Sequence, residues 1–348
     1  MPRLFDLAVP TDLATMEAKL VDEVPDGPGW RYEPKWDGFR CLAFRAGEEV
    51  ELKAKSGKPL GRYFPDVVAA LKALPVDRFV VDGELTISVD GELSFDALQM
   101  RLHPAESRVN KLAAEQPACF VLFDCLLDAD GRSLVEAPFT RRRAELEALF
   151  ERLRDPAALR LSPGTQDRQE ACAWLAEVGA ALDGVVAKRL DGAYVPGERA
   201  MLKIKRMRTA DCVVGGFRYA QGSRDVGSLL LGLYDDAGRL DHVGFTSTIS
   251  KAERPELTRR LEALAGGPGF TGRAPGGPSR WSGERSTEWT PLKPELVVEV
   301  RYDHVTGDRF RHGSKLVRWR PDKAPAQCTL AQLRAEAAPA RLAKAIAR

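Results

Sequence analysis

Strand-like runs fill much of this chain, and the helical runs between them follow no regular rhythm; that irregularity is what most limits its fold. Apolar and β-branched stretches at 41–44, 50–55, 78–89 and 119–127 are joined by helical patterns at 95–102 and 139–153. A further helical pattern at 171–178 precedes strands at 184–188 and 201–205. A doubly wound parallel sheet would alternate strand with helix, so an α+β fold of antiparallel sheets with helices is expected instead.

After residue 208 the texture changes. Strands at 212–218, 228–234, 240–246, 296–302 and 315–319 are separated by Gly or Asp turns, with Asp235-Asp236-Ala237-Gly238 as a hairpin connection. One helix, 254–264, interrupts them. Five strands with one helix predict a small β-barrel of the OB type, a scaffold that binds nucleic-acid strands. A chain of 348 residues exceeds what one core holds, and three parts are expected: a first domain over 1–207, the barrel over 208–325, and an Ala-rich terminal helix within 326–348. Prolines at 10, 25 and 28 make residues 1–30 a lead-in, and 266–294, rich in Gly and Pro, reads as a long functional or mobile loop.

Charge is balanced, 52 basic against 50 acidic residues, which does not by itself imply a nucleic-acid partner. Its distribution says more: 301–323 holds seven Lys or Arg against three Asp, and 203–208 holds four basic residues and no acid. The Arg141-Arg142-Arg143 run reads as a solvated helix face. Six scattered cysteines with no Cys-x-x-Cys pair exclude a zinc site of that kind and read as buried small side chains in a reducing compartment. No run is apolar enough to span a bilayer, so no membrane association and a cytoplasmic location are expected.

Chemistry enters at Glu33-Pro34-Lys35-Trp36-Asp37-Gly38-Phe39-Arg40. It puts a lysine where a loop should leave a strand, followed by a carboxylate, a glycine that lets backbone approach a ligand, and an arginine able to grip phosphate or ribose. A lysine amine attacks phosphorus only when neutral, so such a site needs neighbouring positive charge or desolvation. Taken alone, the string also suits a solvated turn. Further segments follow it: Asp82-Gly83-Glu84, Phe123-Asp124, Asp183-Gly184-Val185-Val186-Ala187-Lys188, Lys203-Ile204-Lys205 and Arg318-Trp319-Arg320-Pro321-Asp322-Lys323. Lys203 and Lys205, two apart on a strand, share a face, and two ammonium groups there repel unless an anion lies between them. A Lys-Ile-Lys edge strand facing water is the plainer alternative, and a core phenylalanine is the plainer reading of Phe123. Asp183 and Val185 likewise share a face in a regular strand.

With these motifs in this order the chain resembles the ATP-dependent DNA ligases, within the covalent nucleotidyltransferases that include RNA ligases and GTP-using capping enzymes. It is most similar to the compact bacterial C type and to the ligase module of the D type. The resemblance implies a nucleotidyltransferase (adenylation) domain followed by the OB-fold barrel. It implies that Lys35 attacks the α-phosphorus of ATP and becomes a lysyl-AMP, that AMP passes to the 5′-phosphate of a nick, and that the 3′-hydroxyl then seals the break in DNA repair. Phe123 would stack on adenine with Val185 opposite. Glu33 would lie at the adenine edge, Arg40 and Glu84 near the ribose, and Lys55 at ribose or phosphate. Asp183 and Glu84 would hold Mg²⁺ or Mn²⁺. Lys203 and Lys205 would bind the α-phosphate, and Arg320, Asp322 and Lys323 would orient the leaving pyrophosphate, with a hinge at 206–209.

Two departures stand out. Asp183 replaces a glutamate common in relatives, and Ala54-Lys55-Ser56-Gly57 replaces Ser-Arg-Asn-Gly, so that Lys55 lacks the fork of arginine. The expected partner is nicked duplex DNA, bound by a monomer. The segment before Lys35 is short for a domain that encircles a duplex, so recruitment by a repair polymerase or another repair protein is expected as well. An RNA ligase or a GTP-using capping-type enzyme is the alternative within the superfamily.

Overall fold

The computed structural model describes residues 3–152, 158–176, 182–276 and 288–334. It divides between Arg206 and Met207 into two units, each with an apolar core of its own. The strands of the first are β1 (Ala18–Val21), β2 (Trp30–Trp36), β3 (Phe39–Ala46), β4 (Glu49–Ala54), β5 (Arg78–Val89), β6 (Glu92–Leu93), β7 (Ala118–Leu127), β8 (Leu159–Leu161), β9 (Leu182–Arg189) and β10 (Met201–Ile204). Its helices are α1 (Pro65–Lys72), α2 (Phe95–Arg101), α3 (Glu106–Glu115), α4 (Phe139–Glu151) and α5 (Arg168–Ala176).

Two sheets result, one in the order β1-β10-β9-β2 and one in the order β4-β3-β5-β7-β8 with β6 beside β5. Every pairing is antiparallel except β1 with β10 and β7 with β8. Lys35 is therefore a strand residue, not a loop residue. Pro34 just before it is tolerated because β2 is an edge strand, where a missing N–H breaks no ladder on the open side.

Phe64, Val67, Leu71, Leu98 and Leu146 pack on Val81, Leu85 and Phe120 of the larger sheet. Each such burial contributes about 1.5–3 kcal/mol. Helices α1 and α3 were not expected from the sequence, and the reason is visible. Each buries only two residues one turn apart, Val67 with Leu71 and Val109 with Ala113, a stripe too thin to stand out.

Of the arginine run in α4, Arg141 is exposed as expected, but Arg142 and Arg143 are not. Arg142 lies one turn before Leu146 on the buried stripe, and its side chain is 1% exposed. Its Nε and Nη2 donate to Asp124 at 2.7 and 3.2 Å, and Nη1 donates to the carbonyls of Ala137 and Gly192. Arg143 is buried too, its Nε 2.6 Å from Glu147.

The second unit contains β11 (Arg208–Tyr219), β12 (Val226–Tyr234), β13 (Leu240–Thr246), β14 (Thr290–Pro291), β15 (Val297–Tyr302), β16 (Val305–Thr306), β17 (Arg309–Phe310) and β18 (Lys315–Trp319), with α6 (Arg254–Glu262) and α7 (Ala331–Arg334). Its main sheet runs β13-β12-β11-β15-β18, antiparallel throughout, with β14 beside β11. A bridge between Thr246 and Ser314 brings the two edges of that sheet together, so it curls.

Two expectations change here. The Gly/Pro-rich stretch is anchored at both ends: Phe270 and Leu292 are in the core, and Ala265 pairs with Leu292; residues 277–287 lie outside the described residues. Cys328, Leu330 and Leu333 also pack in this core, and Tyr234 exchanges backbone hydrogen bonds with Cys328 and Leu330, so 326–334 belong to this unit. The terminal helix expected beyond them lies outside the described residues. All six cysteines are free thiols, four of them buried. No helix among the described residues is long and apolar enough to cross a membrane.

Two stability predictions follow from buried charge. Arg142→Met leaves Asp124 with Lys188, 3.9 Å away, as its remaining cationic partner and should cost about 3 kcal/mol in denaturant unfolding, the low end for a broken buried pair, part of which a second change, Asp124→Asn, restores. In the second unit His242 is 5% exposed, with Arg309 Nη2 3.2 Å from its Nδ1, and burial together with Arg309 and Arg218 pushes it down to about 3. The unfolded chain takes up that proton near pH 6.5 and the folded one does not. Stability of the second unit should therefore be full above pH 6.5 and fall progressively as pH drops toward 3, a dependence that His242→Phe should flatten.

Candidate active site

Pairing between β2 and β9 builds the first wall. Pro34 pairs with Val185 and Lys35 with Gly184, but Trp36 pairs with Leu182, which leaves Asp183 as an extra, bulged residue. Gly184 makes the bulge possible: its φ is +144°, and a Cβ there would collide with the carbonyl oxygen of Ile204. The bulge turns Asp183 toward Lys35. Asp183 Oδ2 lies 2.6 Å from Lys35 Nζ and 3.1 Å from Lys205 Nζ. Burial pushes the Asp183 carboxyl up, but the two lysines outweigh it and hold the group below its usual range. Lys203, on the pocket side of β10, is pushed down by burial and by the positive charges of Lys35, Lys205 and Lys55.

The facing wall comes from the larger sheet. Arg40 of β3, Glu84 of β5 and Phe123 of β7 join Glu33, Lys35 and Lys203 around a cavity of about 220 Å³. Phe123 is itself a bulge residue, since Asp82 pairs with Asp124 but Gly83 with Leu122. Burial pushes the Glu84 carboxyl up to about 7, against the pull of Lys35 and Arg40. Gly38 lets β3 start close to β5, because a side chain there would strike the backbone of Leu85. A second cavity, of about 890 Å³, shares Arg40, Lys55 and Glu84 with the first.

Of the residues singled out from sequence, then, Glu33, Lys35, Arg40, Lys55, Glu84, Phe123 and Lys203 line one cavity. Asp183 joins it through its ion pair with Lys35, and Lys205 through its ion pair with Asp183. Lys55 also meets Glu17 at 3.0 Å. Val185 is not brought to the cavity. It is fully buried among Tyr32, Ala171, Trp174 and Ile204, and Val186 lines the cavity in its place. The regular alternation that put Asp183 and Val185 on one face fails because Asp183 is itself the bulged residue, so the residues opposite Glu33 and Lys35 are Val186 and Gly184 instead.

Lys188 was not given a role from sequence. It lies 3% exposed at the base of the cavity, 2.8 Å from Glu33 Oε2 and 3.0 Å from the Phe123 carbonyl, with its ammonium 4.7 Å from the Phe123 ring centre. Alternation carried on from Asp183 and Val185 puts Lys188 on the opposite face, so strand periodicity held no signal for it.

A family profile described as the ATP dependent DNA ligase domain matches residues 8–205, and one described as the ATP dependent DNA ligase C terminal region matches 222–323. The chain belongs to the ATP-dependent DNA ligases. DNA ligase C2 of Mycolicibacterium smegmatis is 46% identical over 347 residues, spanning 94% of this chain and 96% of that protein. DNA ligase C of Mycobacterium tuberculosis is 44% identical over 345 residues with the same coverage. A solved Lig E DNA ligase has a TM-score of 0.56 at 15% identity, covering 88% of this chain and 99% of that one, a likeness of fold alone.

In the ligase's second unit, Arg320, Asp322 and Lys323 gather at Asp211. Arg320 Nη1 is 2.8 Å and Lys323 Nζ 3.1 Å from that carboxylate, and Arg320 also pairs with Asp322. No group of three or more His, Cys, Asp and Glu able to hold a metal occurs among the described residues. Glu84 lines the cavity and Asp183 meets it through Lys35; an ion held by one or two carboxylates and completed by substrate phosphates and water, the usual habit of Mg²⁺, needs no larger cluster.

The β9 register can be tested by two truncations. Val185→Ala should cost about 1–3 kcal/mol of stability in unfolding experiments while leaving nucleotide binding near wild type. Val186→Ala should do the reverse, weakening ATP binding with little loss of stability.

Proposed function

We propose that the Lys35 cavity takes ATP and that this ligase seals nicks in duplex DNA through a lysyl-AMP. The observation that carries the reading is that Lys35 and Lys205 share one carboxylate, Asp183, while Lys203 lines the same cavity, which has an aromatic wall. Like charges gathered this closely are stable only with an anion among them, and a triphosphate is a far stronger one than a single carboxylate.

Lys35 Nζ, once its ammonium has lost a proton to solvent, forms a bond to the α-phosphorus while the bond to the bridging oxygen breaks; pyrophosphate leaves and the new phosphoramidate nitrogen sheds a second proton to solvent. Lys203 and Lys205 neutralise the charge that builds on the α-phosphate. Phe123 stacks on the base, Val186 covers it in place of Val185, and Glu33, fixed by Lys188, meets its polar edge. Arg40 and Lys55 hold the sugar and phosphate side. Glu84 and Asp183 would hold Mg²⁺ or Mn²⁺, which would supply further neutralisation of the triphosphate. To Arg320, Asp322 and Lys323 the proposal gives the orientation of the leaving pyrophosphate.

AMP then moves from Lys35 to the 5′-phosphate of the nick, and the 3′-hydroxyl attacks that phosphorus, forming the phosphodiester and releasing AMP. The substrate is nicked duplex DNA, held largely by phosphate contacts, and the setting is repair in the cytoplasm with a recruiting protein. Incubation with α-labelled ATP and Mg²⁺ should leave one AMP on the protein, stable to denaturation and released by acid. Lys35→Ala should take up none and seal no nicks; label retained on that variant would overturn the proposal.

A further inference from the structure

Tyr194, in the connection between β9 and β10, is 1% exposed and has no part in the chemistry described so far. Its hydroxyl donates to Asp82 Oδ2 at 2.7 Å and accepts from the backbone N–H of Met16 at 2.9 Å. Asp82, fully buried on β5, in turn accepts from Arg40 Nε at Oδ1 and from Arg40 Nη2 at Oδ2, both at 2.6 Å. Arg40 Nη2 closes the circuit with a 3.4 Å contact to the Met16 carbonyl. Met16 and Arg40 both line the Lys35 cavity; Tyr194 and Asp82 stand behind them.

We infer that Tyr194 is a positioning residue for nucleotide capture, acting through Asp82 on Arg40. The inference rests on the reading that the Lys35 cavity takes ATP with Arg40 at its sugar side. A guanidinium has five N–H groups. The Nε group and one on Nη2 are committed to Asp82, the other Nη2 group faces Met16, and the two on Nη1 remain for a ligand. The ring of Phe123 lies under the same guanidinium, 4.6 Å from its central carbon. The orientation of Arg40 thus depends on one carboxylate, and the orientation of that carboxylate depends on one hydroxyl.

Three other placements support this. Burial, the Asp82 charge and the hydrogen bond to it push the Tyr194 hydroxyl well above its usual range, so it stays a donor at any working pH. At Arg40 burial works against the charge, but Asp82 outweighs it and keeps the guanidinium protonated. The Arg142 guanidinium lies 5.7 Å from the Tyr194 ring centre and holds Gly192 in the same connection, which limits where the phenol can go.

Tyr194→Phe keeps the ring and removes only the hydroxyl. In the full chain, with α-labelled ATP, the concentration giving half-maximal covalent adenylylation should rise about ten-fold, the worth of one hydrogen bond to a charged group. The saturating rate should stay within about two-fold of wild type, as expected when binding is lost and chemistry is not. Arg40→Ala should raise the same concentration, and adding Tyr194→Phe to it should change nothing further, because a residue acting through Arg40 has nothing left to act on.

Thermal midpoints are followed for each protein. If Tyr194→Phe does not fold, Asp82→Asn is read in the same way, alone and with Arg40→Ala. A Tyr194→Phe protein that takes ATP as wild type does, beside a disabled Arg40→Ala protein, overturns this inference alone. So does an effect of Tyr194→Phe that persists undiminished without Arg40. An Arg40→Ala protein with wild-type ATP use removes the role given to Arg40 and this inference with it, while Lys35→Ala still reports separately on the adenylylation reading.

Discussion

The contact between Lys35 and Asp183 holds the first unit's chemistry together. Lys35, Lys203 and Lys205 converge on one small region, and at the separations found between neighbouring side chains each like-charge pair costs on the order of 1–4 kcal/mol, depending on solvent access. Asp183 sits between two of the three and makes that cost bearable in the absence of nucleotide. It can do so only because β9 carries an extra residue at this point and because Gly184 accepts a backbone angle and a closeness to Ile204 that no side chain permits. A polyphosphate offers the lysines more charge than the carboxylate does. The carboxylate that holds Lys35 and Lys205 together is thus a partner that a polyphosphate could replace.

The remaining walls follow one scheme. Asp124 is paired with Arg142, Glu33 with Lys188 and Asp82 with Arg40, and in each pair at least one partner is almost wholly buried. Such pairs add little net stability, since desolvation offsets most of their attraction, but removing one partner strands the other. Their effect is on geometry: each partner is held by a short contact to the other. Glu33, Phe123 and Arg40 are thereby presented at fixed positions, a preorganisation that an electrostatic site needs because it cannot afford to reorganise as charge develops.

How much of this could be read in the sequence depended on whether the strands were regular. The strand limits at 78–89, 240–246 and 315–319 were legible because composition and turn residues change sharply there. Lys203 was legible from alternation because β10 is regular. Val185 was not, because a bulge is an extra residue that leaves no mark in hydrophobic periodicity, and it transfers the pocket position to Val186. Gly184 was the only hint. The arginines of α4 misled for a related reason: charge is read as exposure, and only the three-dimensional position of Asp124 shows that Arg142 has a buried partner. Long-range pairs such as Tyr194 with Asp82, 112 residues apart, have no local signature at all.

The second unit repeats the logic with different residues. Its stretch 301–323 is basic by count, yet Arg318 is paired with Glu299, and Arg320 and Lys323 with Asp211, on the neighbouring strands β15 and β11. A surface of this kind does not bind phosphate by bare charge. A phosphate at Arg318, Arg320 or Lys323 would have to outcompete a carboxylate already in place, so the net gain there would be the difference between two ion pairs rather than the whole of one. That difference favours ligands that present several negative charges in a row, as a triphosphate or a nucleic-acid backbone does, over an isolated anion. It also disfavours indiscriminate binding, because a weak anion cannot repay the displacement of Asp211 or Asp183. Arg320 and Lys323 share Asp211 as Lys35 and Lys205 share Asp183, so in both units an anion would have to displace a carboxylate to reach these cations.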